Sequence, residues 1–537
     1  MRLQDYRDQC ICFFCGVSIS GGCRWISSTD LQYLQSSTMI LSAQARNILL
    51  EPITCDQAPV PVCWAKCAAT TRFLFARAHR DMAAGVADSE ALTDGPFDLG
   101  YMRYNPELYE QDLFEKRLRI VDELSACGVK LPLVPETFES PRKNFRSRCR
   151  LAVHVDKHPS VDNGIKGRLT YLMWDAAGIP TYPVRQFPIV SVLINELLHP
   201  LRLQLESSQV LLFGLCAAHF LSTQTGEALV VLLYDSEKEL SDQALLWRDA
   251  AKIAIRELLQ PDVVPGLRAL SLIATSKGVR LVEPEGRTYV EEALNVRCPS
   301  YSLHTDTNVS CVEERKLFYH QPFDGFSNPN IAVNEKCLGW LCSVAAELQP
   351  TDDLLELYCG AANHTCALAK YFSRVLAVEL NKSLCKAAEA NLALNGIQNA
   401  SIMAMRSESF ARTIMKKGGV FEDRRRTPPT IYHFGTVLVD PPRGGLDADT
   451  RQLLRGFDRI IYISCCPASL VRDLKAICFD ETQALEVDRC GSGDARAGEG
   501  NQQSGSHTRY AVRRFAVFDH FAYSQEHLES AVLLVRT

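Results

Sequence analysis

Short apolar runs alternate with stretches of helical periodicity from about residue 321 to residue 537. Each run has the length of a buried strand and is followed by a polar or glycine-containing loop. This order of strand, loop and helix is typical of a doubly wound sheet, so we predict an α/β domain over residues 321–537. The predicted strands are LLELY (354–358), RVLAVEL (374–380), TVLVD (436–440), IIYIS (460–464) and AVLLV (531–535), with helices over 365–372 and 383–394.

Residues 96–320 show a different pattern, in which strands outnumber helices and turn residues separate neighbouring strands. This pattern predicts an α+β domain with a largely antiparallel sheet. The predicted elements are a hairpin of RLTYLMW (168–174) and IPTYPV (179–184), a buried strand ALVVLLY (228–234), an amphipathic helix over 242–259, and a second hairpin of LRALSLIAT and VRLVEP around Ser276-Lys277-Gly278.

Three segments fit neither domain. Residues 1–95 have no sustained periodicity, and we interpret them as an N-terminal extension that is poorly ordered or serves targeting. The stretches EDRRRTPP (422–429) and GSGDARAGEGNQQSGSH (491–507) interrupt the α/β pattern as surface insertions. The second is rich in Gly, Ser and Gln, which predicts a flexible insertion over about 490–508.

Composition narrows the class of protein. A chain of 537 residues predicts two to four domains, and 47% hydrophobic with 23% charged residues is usual for a soluble globular protein. The formal net charge of −5 argues against non-specific coating of nucleic acid but allows a local basic patch. The longest apolar run, VLLFGLCAAHFL (210–221), is too short to span a bilayer, so we expect no membrane association.

The 21 cysteines lack the spacing of a disulfide framework, which favours a reducing compartment: the cytoplasm or, alternatively, a mitochondrion or other organelle. Cys10, Cys12, Cys15 and Cys23 form a cluster near the start of the chain. Without a nearby histidine at ligand spacing they are a weak metal motif, and we predict no metal.

The stretch ELYCG (356–360) ends one predicted strand and opens a helix, where α/β folds bind nucleotide-like cofactors. Glu379 ends the next strand 19 residues after Gly360, the spacing of an acidic partner for ribose hydroxyls. The loop has one glycine and no lysine, so an adenosine cofactor without phosphates fits better than a nucleotide. S-adenosylmethionine is the candidate, and an ordinary α/β turn is the alternative.

Two more strands end in chemically active residues. VLVDPPRGGLD (437–447) places Asp440 at a strand end fixed by two prolines, and RIIYISCCPASL (459–470) delivers Cys465 and Cys466 after the next strand. The carboxyl edge of an open sheet is where active sites lie, so Cys465 is a candidate nucleophile. The alternatives are a proline-rich turn and a cysteine that packs as a small hydrophobe.

These motifs together resemble the bacterial-type tRNA (uracil-5-)-methyltransferase family, which is S-adenosylmethionine-dependent and has a Rossmann-like class I methyltransferase domain. The resemblance covers about residues 140–537 and rests on ELYCG, DPPRGGLD, YISCCP, FSNPNIAVN and FDHFAYSQEHLESAVLL. It implies 5-methyluridine formation in the T-loop of tRNA, with the T-arm as partner and no obligate protein partner. It also implies that Cys465 adds to C6 of uracil and that Glu529 accepts the C5 proton, with Glu526 as the fallback.

The resemblance also assigns residues around the cofactor and the base. Phe326 is a candidate to face the base or the cofactor, with a core aromatic as the alternative, and Ala362 stands where the family has a second glycine. Its Cβ would crowd the cofactor, or strain the turn if φ is positive. Asn328 stands where the family has Gln and is one methylene shorter. The cofactor-contacting set implied by the motifs is Asn328, Tyr358, Gly360, Asn363, Glu379 and Asp440.

Basic residues cluster in RKNFRSRCRLAVHV (142–155). If a strand starts at Phe145, its residues divide between a basic face and an apolar face. The basic face suits phosphate contacts, and a solvated strand surface is the alternative. The predicted RNA-binding residues are Arg142, Lys143, Arg146, Arg148 and Arg150, with His154 on the same face as the last three, opposite Phe145, Cys149, Leu151, Val153 and Val155.

Three other functions remain open at this point. A ribosomal RNA uracil-5 methyltransferase uses the same chemistry, although the C-x5-C-x2-C cluster that some of those enzymes carry is absent from the sequence. A non-catalytic RNA-binding or RNA-folding relative would need neither Cys465 nor Glu529. An amino-directed methyltransferase shares Asp-Pro-Pro but has no use for a cysteine nucleophile.

Overall fold

The computed structural model describes residues 91–132, 134–159, 165–235, 247, 249–255, 264–276, 279–282, 287–301, 310–417, 420–425, 428–479, 509–524 and 526–537. The Cys10–Cys23 cluster, most of the predicted N-terminal extension and the insertion at 490–508 lie outside these residues. The predicted helix over 242–259 is described only at 247 and 249–255, where the backbone is helical. Glu90–Thr537 form one compact unit.

Strands and helices alternate along this unit. The helices are α1 (Tyr109–Ala126), α2 (Val192–Ser207), α3 (Gln209–Leu212), α4 (Ile331–Leu348), α5 (Asn363–Leu368), α6 (Lys382–Leu394), α7 (Ser407–Lys416), α8 (Ala448–Leu454) and α9 (Pro467–Cys478). The strands are β1 (Phe97–Asp98), β2 (Arg103–Tyr104), β3 (Glu136–Phe138), β4 (Arg148–Pro159), β5 (Ile165–Trp174), β6 (Pro180–Pro183), β7 (Leu215–Ser222), β8 (Glu227–Tyr234), β9 (Ala269–Ser276), β10 (Val279–Val282), β11 (Tyr289–Tyr301), β12 (Ser310–Pro322), β13 (Asp353–Leu357), β14 (Val375–Glu379), β15 (Ala400–Ala404), β16 (Phe421–Asp423), β17 (Thr430–Tyr432), β18 (Phe434–Val439), β19 (Arg459–Ser464), β20 (Tyr510–Phe518) and β21 (Glu529–Arg536).

An eight-stranded sheet has the order β15-β14-β13-β18-β19-β21-β20-β3. The strands from β15 to β19 are parallel, whereas β21 runs antiparallel to both of its neighbours. All five strands predicted after residue 321 are present, and the Rossmann-like expectation is confirmed. The strand order reverses between β13 and β18, and such a switch point leaves a crevice at the carboxyl ends of the strands.

Burial on both faces explains why these strands are apolar throughout. Every residue of β13 is buried, as are the first four residues of β14 and the last five of β19. Helices cover a parallel sheet on both sides, so its strands carry continuous apolar runs rather than an alternating pattern. Asp353 and Glu356 of β13 are the exceptions, and each has polar partners: the side chain of Arg374 for Asp353 and that of Thr365 for Glu356.

A second, seven-stranded sheet has the order β10-β9-β8-β7-β4-β5-β6. Neighbouring strands are antiparallel except β8 and β9, which are parallel. This confirms the α+β, largely antiparallel expectation and both predicted hairpins, β5–β6 and β9–β10. The long strands β11 and β12 form a separate antiparallel pair.

Two features differ from the predicted organisation. β3 lies within the range predicted for the first domain but pairs with β20 in the eight-stranded sheet, so the predicted boundary near residue 320 does not separate the two sheets cleanly. The predicted surface insertion at 422–429 overlaps a short antiparallel pair, β16–β17, in which Asp423 is buried and binds Arg425. Among the described helices, none combines the length and the apolar character needed to cross a bilayer.

Candidate active site

The register of two antiparallel strands brings the predicted nucleophile and the predicted proton acceptor together. Ser464, the last residue of β19, pairs with Ser530 of β21. Cys465 follows directly after β19, and the antiparallel register continued by one step places it opposite Glu529, the first residue of β21. The two side chains also interact electrostatically. Cys465 and Glu529 thus share one edge of the sheet, although 64 residues separate them in the chain.

The turn from β19 into α9 fixes the backbone around Cys465. The Ser464 hydroxyl accepts a hydrogen bond from the Cys466 amide at 3.2 Å, and Cys466 is the N-cap of α9 with Pro467 in the first turn. Cys465 is half-buried. Burial, together with the negative charges of Glu529 and Asp440, raises the pKa of the Cys465 thiol to about 12. The resting thiol is therefore protonated, and it needs positive charge nearby to ionise.

The loop after β18 is anchored to α9 through one buried carboxylate. Asp473 accepts hydrogen bonds from the Leu446 amide at 2.7 Å and from Tyr462 OH at 2.7 Å, and it pairs with Arg451. Gly445 has φ of +70°, and a Cβ there would lie 2.5 Å from Asp473 Oδ2. Only glycine allows the loop to approach α9 this closely, which explains the Gly-Gly after Asp-Pro-Pro-Arg.

Asp440 lies at the carboxyl end of β18 near His364 and two other acids, Glu529 and Glu356. Burial raises the pKa of Asp440 to about 7, the nearby carboxylates of Glu529 and Glu356 act in the same direction, and His364 opposes them. His364 lies 3.6 Å from Glu356, and although burial disfavours its charge, Glu356 and Asp440 raise the pKa of its imidazole. The crevice therefore concentrates carboxylates and suits a positively charged ligand.

The cofactor loop begins with a turn that only glycine forms freely. Gly360 has φ of +56°, and no atom lies within 4 Å of the position of a Cβ there. Its amide donates to Glu379 Oε2 at 3.0 Å, while Glu379 Oε1 accepts from the Asn381 amide at 2.7 Å. Glu379 thus holds the ends of β13 and β14 together beside an open space large enough for a ligand to approach the backbone.

Ala362 shows the strain that its position predicts. Its φ is +64° and its ψ is +36°, a left-handed conformation that is costly for a residue with a Cβ. The Ala362 side chain is 0% exposed and packs in the apolar cluster with Cys366 and Leu368. The departure from glycine therefore strains the turn, and the methyl group faces the core rather than the open crevice.

Two other residues implied as cofactor contacts, Asn363 and Tyr358, are held by protein partners. The side-chain amides of Asn363 and Asn334 form a reciprocal pair at 3.0 and 3.2 Å, which ties the loop to α4. Tyr358 is half-buried, and its hydroxyl faces Thr450 and Ser407. The polar groups of Asn363 and Tyr358 bind other residues of the protein. Any contact with a cofactor would therefore be made by the other atoms of these two side chains.

The segment before α4 reaches His520, which in turn contacts the predicted proton acceptor Glu529. Asn328 Nδ2 lies 3.2 Å from His520 Nε2. His520 Nε2 also lies 3.3 Å from Glu529 Oε1. Phe326, two residues earlier, is 54% exposed beside this cluster. Glu526, the fallback proton acceptor, is exposed, whereas the side chain of Glu529 is only 13% exposed, so the geometry favours Glu529.

Cys337 of α4 also points toward this cluster, with its sulfur, a His520 nitrogen and a Glu529 oxygen within 4.8 Å of one another. A metal ion would require the thiolate. Burial and the carboxylates of Glu529 and Asp440 hold the pKa of Cys337 well above its usual range. This donor set therefore does not fit a metal centre.

The basic residues predicted for RNA divide into two groups. Arg142 pairs with Glu110 and Lys143 with Asp94, both before the strand. The strand itself begins at Arg148 rather than Phe145, because the Arg146 amide and carbonyl are bound to Ile189 and Ser191 instead of a neighbouring strand. The predicted alternation still holds for the first residues: Phe145, Cys149 and Leu151 are buried, and the arginines between them are not.

Arg148 connects the seven-stranded sheet to the segment that precedes α4. Arg148 Nε donates to Ser327 Oγ at 2.9 Å, next to Asn328. Arg150 is exposed and lies opposite His219 of β7. Burial, with Arg150 and Arg148 nearby, lowers the pKa of His219 to about 3, so this imidazole is neutral. Arg146, Arg148 and Arg150 thus form a basic strip that leads toward the active-site segment.

Sequence reasoning did not find His364, His520 or His219. His364 and His520 each stand within a motif, CGAANH and FDHF, but a single histidine in a loop has no spacing signal of its own. His219 lies inside an apolar run. Their roles can be inferred only from the folded structure, in which His364 lies near Glu356, His520 near Glu529 and His219 near Arg150.

Comparison with known proteins places this geometry in one family. The sequence profile of the tRNA (Uracil-5-)-methyltransferase family matches residues 108–490. A tRNA/tmRNA (uracil-C(5))-methyltransferase of Ectopseudomonas mendocina is 35% identical over 437 residues, which cover 81% of this chain and 98% of the relative. A protein of the same name from Vibrio parahaemolyticus is 34% identical over 436 residues, covering 80% and 98% respectively.

A solved structure agrees in fold. The Pyrococcus abyssi tRNA (uracil-54, C5)-methyltransferase in complex with S-adenosyl-L-homocysteine superposes with a TM-score of 0.50 at 17% identity, covering 80% of this chain and 83% of that one. The profile match and the relatives span most of the described chain and include Cys465 within the matched range. The resemblance noted from the motifs is therefore confirmed, and the chain belongs to the tRNA (uracil-5-)-methyltransferase family.

Proposed function

We propose that this enzyme forms 5-methyluridine in the T-loop of tRNA through a covalent adduct of Cys465 with the target uracil. The observation that carries the proposal is the placement of Cys465 opposite Glu529 at the edge of the sheet that also holds Asp440. The relatives' names, tRNA/tmRNA (uracil-C(5))-methyltransferase, support tRNA as the substrate. We also propose a reducing compartment, the cytoplasm or an organelle, because free thiols persist there.

The covalent route follows from the chemistry of uracil. C5 is a weak nucleophile, and addition of the Cys465 thiolate to C6 converts the ring into an enolate. C5 then bonds to the methyl group with the enolate electrons, while the bond from that methyl group to the donor sulfur breaks and leaves its electron pair on the sulfur. Glu529 removes the C5 proton, and the electrons of the C–H bond re-form the C5–C6 double bond as the sulfur leaves C6 as thiolate. The proton ends on Glu529 and the thiolate is regenerated.

The crevice fits S-adenosylmethionine by its charge and by its backbone. Gly360 leaves open space at the turn after β13, and Glu379 and Asp440 line the edge on either side. S-adenosylmethionine supplies the methyl group and a positive sulfonium, which offsets the carboxylates that keep Cys465 protonated. We assign Glu379 and Asp440 to holding this group, with Phe326 available to stack on the uracil.

Methyl transfer from labelled S-adenosylmethionine to an unmodified tRNA transcript, followed by nucleoside analysis, tests the proposal. We expect 5-methyluridine in the T-loop and none when the target uridine is replaced by cytidine. A ribosomal RNA fragment serves as the competing substrate. Labelling of the fragment alone would favour the ribosomal RNA alternative, and tRNA binding without any labelling would favour a non-catalytic RNA-binding protein.

Gly360→Ala is expected to weaken S-adenosylmethionine binding by roughly tenfold or more, since a Cβ would project into the space proposed for the cofactor. Isothermal titration calorimetry measures this affinity. Gly396→Ala is the matched control, because Gly396 also has a positive φ, +65°, and also has nothing within 4 Å of a Cβ. Both variants lose about 1 kcal/mol of stability, so equal affinity losses would contradict the assignment.

We further propose that the basic strip of Arg146, Arg148 and Arg150 contacts phosphates of the tRNA. Arg150→Ala is expected to weaken tRNA binding and to reduce the slope of log K against log salt concentration by about 1. Filter binding over a range of salt concentrations measures both quantities. Arg424→Ala is the control, because Arg424 is 81% exposed in the turn after β16 and does not belong to the strip. An unchanged slope in Arg150→Ala would argue for a merely solvated strand face.

A further inference from the structure

We propose that His520 is a positioning residue that donates a hydrogen bond from Nε2 to Glu529 and thereby keeps this carboxylate ionised and aimed at C5 of the uracil. The inference rests on the proposed function of Glu529. His520 follows the end of β20 by two residues, and its side chain is 0% exposed. Its Nε2 atom lies 3.3 Å from Glu529 Oε1. One carboxylate oxygen is thus engaged, which leaves Oε2 to accept the proton.

The surroundings of His520 hold the imidazole in place. Asn328 Oδ1 accepts a hydrogen bond from the Asn330 amide at 3.1 Å, which fixes the Asn328 amide with Nδ2 toward His520 Nε2, 3.2 Å away. Asn330 is in turn the N-cap of α4 and donates to Ser140 Oγ at 2.7 Å. Because Nε2 carries the proton that it donates to Glu529, the Asn328 amide limits the position of the imidazole by contact and not by a hydrogen bond to Nε2.

The tautomer of His520 follows from a comparison of its two neighbours. A proton on Nε2 provides a donor for Glu529, whereas a proton on Nδ1 would let Nε2 accept from the Asn328 amide. A hydrogen bond to an ionised acceptor is about twice as strong as one between neutral groups, so the Glu529 bond decides the tautomer. Nδ1 is buried and has no partner among the described residues, so it favours neither form.

Titratable groups on the neighbouring elements surround Glu529 and influence its ionisation. His364 of α5, Asp440 after β18, Cys465 after β19 and Cys337 of α4 face it together with His520. Burial acts to raise the pKa of Glu529, but His520 and, to a smaller extent, His364 outweigh it and lower the pKa. Removing the imidazole of His520 leaves burial dominant, so the pKa of Glu529 rises.

A pair of variants tests this role through the pH profile of kcat. A carboxylate base is active above its pKa, so a raised pKa moves the acid limb of the profile to higher pH. We expect His520→Leu to move this limb upward by about one pH unit and to lower kcat by about tenfold at neutral pH. His520→Gln retains an N–H donor and is expected to lie closer to wild type. His433→Leu, at an exposed histidine, is the control.

A tRNA with 5-fluorouridine at the target position separates positioning from general damage. Fluorine in place of the C5 proton stops the reaction after Cys465 addition and methylation, before Glu529 acts. We expect His520→Leu to form this covalent complex as fast as wild type. Equal losses in complex formation and in turnover, with an unmoved pH profile, would overturn the proposal.

Infrared difference titration reports the ionisation of Glu529 without catalysis. The carboxyl band that is lost in Glu529→Gln identifies the residue, and its titration is compared between wild type and His520→Leu. We expect the protonated band to persist to higher pH in His520→Leu. If wild type makes no 5-methyluridine but the band still shifts, the proposed function fails and with it the positioning role, and only the hydrogen bond from His520 to Glu529 stands. An unshifted band contradicts the role of His520 itself.

Discussion

Cys465→Ala is expected to lower 5-methyluridine formation by roughly 10⁴-fold or more, the scale on which loss of a covalent nucleophile acts. Without the thiol, C6 of uracil has no partner and C5 is not activated. The side chain is half-buried and is replaced by a smaller apolar one, so the fold and tRNA binding are expected to persist. Methyl transfer to a tRNA transcript measures the activity, and filter binding measures the tRNA affinity.

Cys466→Ala is the control for the neighbouring thiol. Cys466 caps α9 through its backbone, with its amide bound to Ser464 Oγ and its carbonyl to Ser469 Oγ. Neither contact uses the thiol, so this variant is expected to retain most of the activity. If Cys466→Ala loses activity and Cys465→Ala keeps it, the two cysteines have exchanged roles and the register argument is wrong.

Glu529→Gln is expected to lower turnover by about 10²- to 10⁴-fold, the usual contribution of a general base. Addition of Cys465 and methylation of C5 precede the proton removal, so the methylated adduct is expected to accumulate on the enzyme. A labelled protein–tRNA complex that survives a denaturing gel measures this adduct. The combination of slow turnover and a trapped complex distinguishes a missing base from a damaged site.

Glu526→Gln provides the matched control, because Glu526 lies three residues earlier and is exposed. It lacks the contact with His520 that Glu529 has. We expect normal turnover and no trapped adduct in this variant. Adduct accumulation in Glu526→Gln, with normal turnover in Glu529→Gln, would assign the proton transfer to the fallback residue instead.

Local pattern explains how much of the fold was predictable. Parallel strands buried on both faces need continuous apolar runs, and the runs LLELY, TVLVD and IIYIS therefore predicted β13, β18 and β19. β20 was missed because Arg513 and Arg514 interrupt its apolar residues. Arg514 is accommodated by Glu136 of β3, at 2.8 Å, and that partner is remote in sequence. A strand whose charges are neutralised by a distant segment carries no local signal.

The candidate site, like the fold, was predictable where the signal is local in the sequence. Cys465 and Asp440 follow strands, so the carboxyl-edge rule identified them, and the family motif identified Glu529. The sequence predicted strain at Ala362 only on the condition that its φ is positive. The structure shows a positive φ at this residue, the N-cap of α5. The ion pairs that occupy Arg142 and Lys143 were not foreseen, because Glu110 and Asp94 lie outside the basic stretch.

The sequence by itself determined the sheet type, the strands that end at the candidate site and the residue types proposed to carry the chemistry, because these depend on neighbours in the chain. The tertiary structure decided which groups tune that chemistry. Asn328 and His520 are 192 residues apart, and His364 meets Glu529 only across the folded crevice. Contacts of this kind depend on packing between distant segments, and burial then strengthens each charge interaction.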